Sequence, residues 1–413
     1  MECNGIVANT IASRFKALQS RDFRLVFFTG SISNIGNWME IVLRNWLVYE
    51  ISGSAFILGL SNVVHWLPFL VLSPITGVYV DRWDKRWVIF YAQLALTLVT
   101  IMLGVLSLAG VIAIWHVMVL VLIHGIAETF DSPARQTLVS ELVDKDTVLN
   151  AVSLNSGVFH GTRFIGPAIG GLLITTSGVG LGFVINGLTF IPYMIALLFL
   201  RTSFNKSMAK RANTWSDLLE GLRYLKQEKT ALAVLVTIGL VSVFSFSYQT
   251  LLPVFAADIL KVGPDGLGFL NGAVGFGAVL SAVSLAFWSS RLKRAGLFIC
   301  LMAGIYGISL LVFSASLSYE LSMFCLLVAG ASNVAFNSSC NALLQTQSPP
   351  NLRGRVMGVY TMTSLGTNVF GSFIIGALGQ AMGAQAGLGL SAAVTVALAI
   401  AAFMVSASLR NLE

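Results

Sequence analysis

Charged residues are scarce in this chain. Only 10% of the 413 residues are Asp, Glu, Lys or Arg, whereas soluble domains carry about a quarter. The hydrophobic share is 56% and the mean hydropathy is +0.82. So few charges cannot cover so much apolar surface in water, and the composition therefore indicates an integral membrane protein.

Acidic residues are scarcer than basic ones, at 18 against 25, which gives a formal net charge of +7. A basic balance can indicate nucleic-acid binding. Nearly all of these Lys and Arg residues, however, lie in the termini or in alternate loops between apolar runs. That alternation is typical of the positive-inside rule of membrane proteins. We therefore expect the lipid bilayer as a partner and no nucleic acid.

Motifs for metals, cofactors and enzymatic chemistry are also lacking. The cysteines have no metal-ligand spacing and indicate no disulfide framework: Cys3, Cys300, Cys325 and Cys340. Three histidines in apolar runs are interpreted as packing or hydrogen-bonding residues: His65, His124 and His160. No G-x-x-x-x-G-K-[ST] loop, nucleophile elbow or zinc motif occurs. We expect no metal, no cofactor and no enzyme. Residues 1–20 also lack the apolar core of a signal peptide.

Long apolar runs fill most of the chain instead. Twelve can form helices of the roughly 20 residues that cross a bilayer. They lie near 23–49, 54–80, 87–109, 112–138, 147–175, 179–200, 231–257, 265–290, 295–315, 319–346, 353–382 and 385–409. The predicted divisions are a segment 1–22, a six-helix half 23–200, a linker 201–230, a second half 231–409 and a tail 410–413. An amphipathic stretch at 214–227 predicts a short surface helix in the linker.

The two halves share a register of glycines. A shift of 205 residues aligns Gly171 with Gly376, together with three further glycine pairs, and a shift of 209 aligns Gly59 with Gly268. Parallel repeats of six helices are a plan of secondary transporters. We therefore predict an all-α membrane protein with two parallel six-helix halves around a central cavity.

A charged turn joins the second and third apolar runs. It reads Gly77-Val-Tyr-Val-Asp81-Arg82-Trp-Asp-Lys85-Arg86. Gly77 allows close helix packing. Asp81 needs a partner, such as the N–H groups at the start of a neighbouring helix. A simple solvated turn is the alternative interpretation.

This turn resembles the loop signature of the major facilitator superfamily. Further motifs are similar to the enterobactin- and macrolide-exporter branch of that family: Asp131-Ser-Pro-Ala-Arg135, Arg163-Phe-Ile-Gly166-Pro167-Ala-Ile-Gly170-Gly171 and Arg353-Gly-Arg355. The resemblance implies a gate, or conformational latch, built from Gly77, Asp81, Arg82, Lys85, Arg86, Asp131, Arg135, Arg353 and Arg355. It also implies that Asp81 faces the start of helix eleven and that Lys85 or Arg86 reaches Asp131.

The helix-five element is similar to a signature of antiporters in this superfamily: Gly166, Pro167, Gly170 and Gly171. Two departures from the family pattern matter. Asp84 stands where the loop signature usually has glycine, and helix four has no arginine near Val121, where many proton antiporters carry one. The usual helix-four proton relay is therefore not expected.

Polar residues inside apolar runs are candidates for coupling and substrate binding, because buried charge in a membrane is costly. Glu40 and Arg44 lie four residues apart and can pair, either as a structural pair or as a proton site. Glu128 and Arg163 complete the candidates for proton or charge coupling, and we expect Arg163 to pair with Glu128 or Asp131. The cavity and substrate candidates are Asn34, Asn37, Trp38, Ile41, Trp66, Asn271, Asn337 and Asn368.

These features predict a secondary transporter that exports a small amphipathic organic molecule, such as a drug, siderophore or metabolite. Alternating access is the expected mechanism and proton antiport the expected drive. A proton-coupled importer or a lipid-moving facilitator is the first alternative, and a membrane enzyme or a non-transporting sensor is a further one. We expect a monomer in the cytoplasmic (inner) membrane with both termini cytoplasmic.

Overall fold

The structure is a computed structural model that describes residues 16–202, 223–288, 294–349 and 352–405. The side chains of Asp81 and Arg82 lie outside the described part. Most of the predicted linker helix also lies outside it, since the description resumes at residue 223. The described residues are almost entirely helical and contain no strand.

We label twelve long helical segments in the described residues. The first half contains α1 (Arg21–Ser52), α2 (Ala55–Arg82), α3 (Lys85–Leu108), α4 (Ile114–Glu141), α5 (148–177) and α6 (179–198). The second half contains α7 (Thr230–Ile259), α8 (Gly263–Trp288), α9 (Ala295–Ala315), α10 (Tyr319–Gln347), α11 (Arg353–Met382) and α12 (Ala384–Val405).

Ten stretches of the described residues are long and apolar enough to cross a membrane. One of them, Val148–Leu198, contains both α5 and α6. The helix breaks there at Gly178, whose φ of 83° and ψ of 159° only glycine adopts at little cost. The helix α1 carries the charges of Glu40 and Arg44 and is not among the ten. The all-α membrane fold is confirmed, and the count of twelve crossings stays a prediction.

Short capping contacts explain where the first helices begin and end. The Ser20 hydroxyl accepts a hydrogen bond from the Phe23 N–H at 3.3 Å, which caps the start of α1. Gly53, with a φ of 58°, ends that helix. The Asp84 carboxylate accepts a hydrogen bond from the Arg86 N–H at 3.0 Å and caps α3. The aspartate that departs from the family signature is therefore the residue that starts the third helix.

Basic residues mark one end of the bundle, where α1, α3 and α5 begin and α2, α4 and α6 end; we call it the basic end. There the Asp22 carboxylate accepts a hydrogen bond from the Arg201 N–H at 2.9 Å, which joins the start of α1 to the end of α6. Before α1, Lys16 donates to Asp146 at 2.6 Å. That hydrogen bond lowers the pKa of the Asp146 carboxyl. These contacts hold the first half together at its basic end.

Two helix crossings join the halves, α5 with α8 and α2 with α11. A Cβ on Gly171 would lie 2.9 Å from the Gly268 Cα, and a Cβ on Gly59 would lie 2.9 Å from the Gly376 Cα. Both are closer than real Cβ contacts, so the backbones touch directly. These four residues are the ones that the internal shifts relate, Gly171 to Gly376 and Gly59 to Gly268. The two crossings are therefore equivalent positions of the repeat.

Side-chain contacts reinforce the crossings at the end away from the basic residues, which we call the opposite end. The Tyr49 hydroxyl at the end of α1 donates to the Asp258 carboxylate at the end of α7. The Ser54 hydroxyl donates to Gln380 Oε1 on α11 at 2.9 Å. Both bonds connect one half to the other, so the opposite end is closed.

The crossing helices are less tightly packed toward the basic end. Gly358 precedes Gly376 on α11 by about five turns of 3.6 residues and therefore faces the same side. Gly157 precedes Gly171 on α5 by about four turns. A Cβ on either Gly157 or Gly358 would meet no heavy atom within 4 Å. The halves are in backbone contact at the opposite end and apart at these positions near the basic end.

We predict that Gly376→Ala opens the opposite end. The added Cβ would lie 2.8 Å from the Gly59 Cα and 3.0 Å from the Ala55 carbonyl oxygen, so the crossing must loosen. Spin labels on cysteines at Val111 and Leu317, in exposed loops of the two halves at this end, would measure the distance in a chain without native cysteines. The distance distribution should shift to longer values.

The matched control is Gly358→Ala, the same change on the same helix in open space. It should leave the distribution unchanged. An unchanged distribution in Gly376→Ala as well would show that the halves do not separate along these glycine crossings.

Candidate transport site

A buried ion pair lies in the middle of α1. The spacing of four residues puts Glu40 and Arg44 on one helix face. Arg44 Nε donates to Glu40 Oε1 at 2.7 Å, and both side chains are 1% exposed. Arg44 also donates to Asn62 Oδ1 on α2 at 3.2 Å, and Asn62 donates to Asn45 Oδ1 at 3.3 Å. The pair is therefore hydrogen-bonded on several sides, as a buried ion pair needs to be.

A second ion pair lies on α4 and is also spaced by four residues. Arg135 Nε donates to Asp131 Oδ2 at 2.5 Å, and Gln93 on α3 donates to Asp131 Oδ1 at 3.1 Å. Arg135 also donates to the Ser33 hydroxyl on α1 at 2.7 Å. Its guanidinium lies 4.3 Å from the ring centre of Tyr193 on α6. This cluster joins four helices of the first half.

The predicted contact of Lys85 or Arg86 with Asp131 is wrong for this conformation. Lys85 pairs with Glu141 at 2.8 Å, and Arg86 donates to the Leu198 carbonyl oxygen at 2.6 Å. Asp131 precedes Glu141 on α4 by about 15 Å at 1.5 Å per residue, so it is out of reach of the first turn of α3. Both basic side chains tie α3 to its own half.

The expected pairing of Arg163 with Glu128 or Asp131 is also wrong. Glu128 lies beside His65, and Asp131 is already bound to its neighbour on α4. The Arg163 guanidinium lies over the indole ring of Trp38 instead, 5.2 Å from the ring centre. Arg163 is therefore directed toward α1 and not toward the carboxylates of α4.

The glycines of the helix-five motif explain that direction. A Cβ on Gly166 would lie 2.6 Å from the Trp38 Cβ, and a Cβ on Gly170 would lie 3.2 Å from an α1 carbonyl oxygen. Gly171 and the Pro167 carbonyl meet α8 on another side. The motif thus lets α5 touch α1 within its half and α8 across the interface.

A cluster of ionisable groups joins α2 to α4: His65, His124 and Glu128. Their nearest nitrogen and carboxylate oxygen atoms lie within 4.8 Å of one another, and His65 Nε2 is 3.3 Å from Glu128 Oε2. Both histidines are 3% exposed, whereas 28% of the Glu128 side chain is exposed. A zinc ion needs nitrogen ligands at about 2.0–2.1 Å, so these groups would have to draw together to bind one. His65 and Glu128 are the two members of the cluster that contact each other in the present arrangement.

A small cavity lies between the halves beside these groups. It has a volume of about 40 Å³ and is lined by Ile41, Arg44, Asn45, Asn62, His65, Trp66, Ser247, Gln249, Thr250, Asn368 and Ser372. A buried water needs about 10–15 Å³, so the cavity in this conformation suits a few waters and not an organic molecule. Ile41, Trp66 and Asn368 are the predicted cavity residues that line it.

The other predicted cavity residues lie elsewhere. Asn34 accepts a hydrogen bond from Arg135 at 3.5 Å, and Asn37 Oδ1 is buried without a hydrogen-bond partner in the described residues. Asn271 and Asn337 each donate at 3.0 Å to a carbonyl oxygen one turn earlier on their own helix. Their role in substrate binding stays a prediction.

The predicted gate is described only in part. Gly77 lies within α2, and the side chains of Asp81 and Arg82 are outside the described part. Arg353 is exposed in the first turn of α11, and Arg355 is half-buried. The contact between Asp81 and α11 therefore stays a prediction.

Comparison with known proteins identifies the family. The sequence profile of the transmembrane secretion effectors, within the major facilitator superfamily, matches residues 12–413. This chain belongs to that family. Its members are transporters and not enzymes, in agreement with the motifs that the sequence lacks.

Two relatives and one solved structure illustrate the membership. The chain is 24% identical over 344 residues to the staphyloferrin A transporter of Staphylococcus aureus, with 81% of this chain and 84% of the relative covered. It is 27% identical over 376 residues to the multidrug efflux pump Tap of Mycolicibacterium fortuitum, with 88% and 90% covered. A bacterial homologue of the human lysosomal transporter Spinster has the same fold, with a TM-score of 0.75 at 14% identity over 95% of this chain and 97% of that one.

We predict that Glu40 and Arg44 of this transporter are strongly coupled. Breaking a buried ion pair leaves one uncompensated charge and costs about 3–5 kcal/mol, whereas removing both charges costs far less. Glu40→Gln and Arg44→Met should each lower the thermal unfolding temperature of the purified protein markedly. The double variant should recover most of that loss. If the double variant instead lowers the unfolding temperature by the sum of the two single decreases, Glu40 and Arg44 are stabilised independently of each other.

Proposed function

We propose that this transporter exports a small amphipathic organic molecule by alternating access, driven by proton antiport. The observation that carries the proposal is the asymmetry of the interface between the halves. They touch at two related glycine crossings and are bridged by Tyr49 and Ser54 at one end, while the same helices are apart toward the other. An ionisable cluster lies between these two ends.

We propose that the basic end faces the cytoplasm, which would make both termini cytoplasmic and the present conformation open to the inside. The support is the positive-inside rule, because Arg21, Lys85, Arg201 and Arg353 lie at the basic end. The protein would then lie in the cytoplasmic membrane, and we expect it to act as a monomer. The names of the staphyloferrin A transporter and the multidrug efflux pump support an organic substrate.

We propose Glu128 as the proton carrier in preference to Glu40. Glu40 is bound to Arg44 at 2.7 Å and only 1% of its side chain is exposed, so its charge is already compensated and shielded from bulk water. Glu128 is partly exposed and is bound to a histidine, which can itself accept a proton. The ionisable groups that act on Glu128 are Glu40 and Arg44 on α1, His65 on α2, and His124, Asp131 and Arg135 on α4.

We predict that Glu128→Gln abolishes proton-driven transport and leaves exchange intact. The test uses full-length protein in proteoliposomes with an acidic lumen and the neutral fluorescent amide 1-pyrenebutyramide as probe. Outward proton flow should drive uphill uptake of the probe by the wild type, because antiport moves the two in opposite directions. The Gln variant should show no uphill uptake, while exchange of probe at equal pH should continue.

Protein-free vesicles are the first control. The second is Glu320→Gln, which makes the same change at an exposed site at the start of α10. Dissipating the gradient should abolish uptake by the wild type. Uphill uptake into an alkaline lumen would mean proton symport and hence import. Normal uphill uptake by Glu128→Gln would remove this residue from proton coupling.

We also propose that Asp81 binds the first turn of α11 when the basic end closes. The helix-end interaction is worth about 0.3–1 kcal/mol at exposed sites and up to ~2 kcal/mol when partly buried, enough to shift a balanced two-state equilibrium. Asp81→Asn should therefore keep the basic end open and slow transport with little change in probe affinity.

Spin labels at Asp144 and Arg294, exposed in loops of the two halves at the basic end, would report that shift. The long-distance population should grow in Asp81→Asn. Asp265→Asn, the same change at the start of α8 near the opposite end, should not alter it. Slowed transport with unchanged distances would exclude Asp81 as a latch.

A further inference from the structure

Three arginines lie deep within the described helices of the first half, and their surroundings differ. Arg44 is paired with Glu40 at 2.7 Å, and Arg135 is paired with Asp131 at 2.5 Å. Arg163 forms no ion pair with any residue in the described part of the chain. Its guanidinium meets the face of an indole ring instead.

An unpaired guanidinium in a membrane protein requires an explanation. It cannot lose its proton, and it has five N–H donors to satisfy. Charged side chains in membrane helices face one another or a water-filled space, and they mark the pathways of ions and substrates. Arg163 is only half-buried, so part of its side chain is accessible to a small molecule.

Aromatic side chains of the first half lie beside Arg163. Trp38 lies beneath the guanidinium, and Phe159 packs edge-on against Trp38 with 5.7 Å between ring centres. The charge of Arg163 therefore lies against the first ring of an aromatic pair.

Arg163 also lies where the halves meet. A Cβ on Gly275 of α8 would lie 2.5 Å from the Arg163 carbonyl oxygen, so the second half touches the backbone of this residue directly. A molecule bound to its guanidinium would contact α1 and α5 beside their junction with α8 of the second half. Such a site can sense the relative position of the two halves.

We propose that Arg163 binds the anionic group of the transported molecule, and that the substrates are organic carboxylates with an aromatic body. A guanidinium binds a carboxylate through two parallel hydrogen bonds, and aromatic side chains pack well against an aromatic ring. The bound anion neutralises Arg163, so the halves close over an ion pair and not over a bare charge. An amine substrate would instead meet a like charge. This assignment rests on the proposed export function and narrows its substrate class.

Three probes with the same pyrene body would test the assignment: 1-pyrenebutyrate, 1-pyrenebutyramide and 1-pyrenebutylamine. Binding to the full-length protein in nanodiscs would be measured at neutral pH by energy transfer from tryptophan to pyrene. Empty nanodiscs and displacement by excess unlabelled naphthoate would correct for partition into lipid. The wild type should bind the carboxylate about tenfold or more tightly than the amide, the scale of a hydrogen bond to a charged group. The amine should bind most weakly.

Arg163→Gln should remove the preference and bring the affinity for the carboxylate to that for the amide. Arg163→Lys keeps the charge but loses the planar pair of donors. It should therefore retain part of the preference for the carboxylate over the amide. Equal affinities of the wild type for the three probes would overturn the assignment even if no variant folds. A carboxylate preference that persists in Arg163→Gln would overturn it as well.

The transport assay separates this inference from the proposed function. Uphill uptake of the amide with no carboxylate preference would retain proton-driven export and reject the role of Arg163. A carboxylate preference in binding without gradient-driven uptake of any probe would retain the anion site and reject antiport.

Discussion

The central physical constraint on this protein is that a guanidinium stays charged even inside a membrane. Two of the deep arginines are bound to a carboxylate one helical turn away, Arg44 to Glu40 and Arg135 to Asp131. The remaining donors of each arginine then reach across to a neighbouring helix, to Asn62 in one case and to Ser33 in the other. Satisfying two charges thus sets how α1 lies against α2 and α4. The first half is organised around these two ion pairs.

The interface between the halves depends on a different interaction, direct contact between glycine backbones. A repeat places one glycine pair on α5 and α8 and its equivalent on α2 and α11. Backbone contact of this kind needs no side-chain interlocking or strong polar bonds. Packing without interlocked side chains suits an interface that has to separate and form again. A first half held by ion pairs and a separable interface between the halves are features that suit alternating access.

Contacts within one helix were predictable from the sequence, because they follow from spacing alone. Four residues separate Glu40 from Arg44, and the structure confirms their pairing. The same spacing relates Asp131 and Arg135, which pair in this conformation, whereas the family resemblance favoured Lys85 or Arg86 as the partner of Asp131. The glycine register was visible as an internal repeat, and the family profile confirms the membrane transporter fold.

Contacts between helices were not predictable in the same way. They depend on the rotation of each helix about its axis, which apolar runs with little periodicity do not determine. The glycine crossings fix the rotation of α2 and α5 about their axes. That rotation places His65 beside Glu128 and Arg163 beside Trp38. Lys85 meets Glu141 because the turn before α3 holds it at the end of α4. The proton carrier, the gate and the substrate site therefore stay predictions for experiment.

The central claim is that the opposite end, closed in this structure, must open for transport. A Cβ on Gly379 would lie 3.3 Å from the Ala55 Cβ across that end, so a disulfide between cysteines at these two positions would lock it. In a chain without native cysteines, oxidising the Ala55→Cys and Gly379→Cys double variant should abolish uptake of 1-pyrenebutyramide. Reduction should restore it, and neither single variant should respond to oxidant. Full transport by the cross-linked protein would contradict the account, since the substrate would then cross without this end opening.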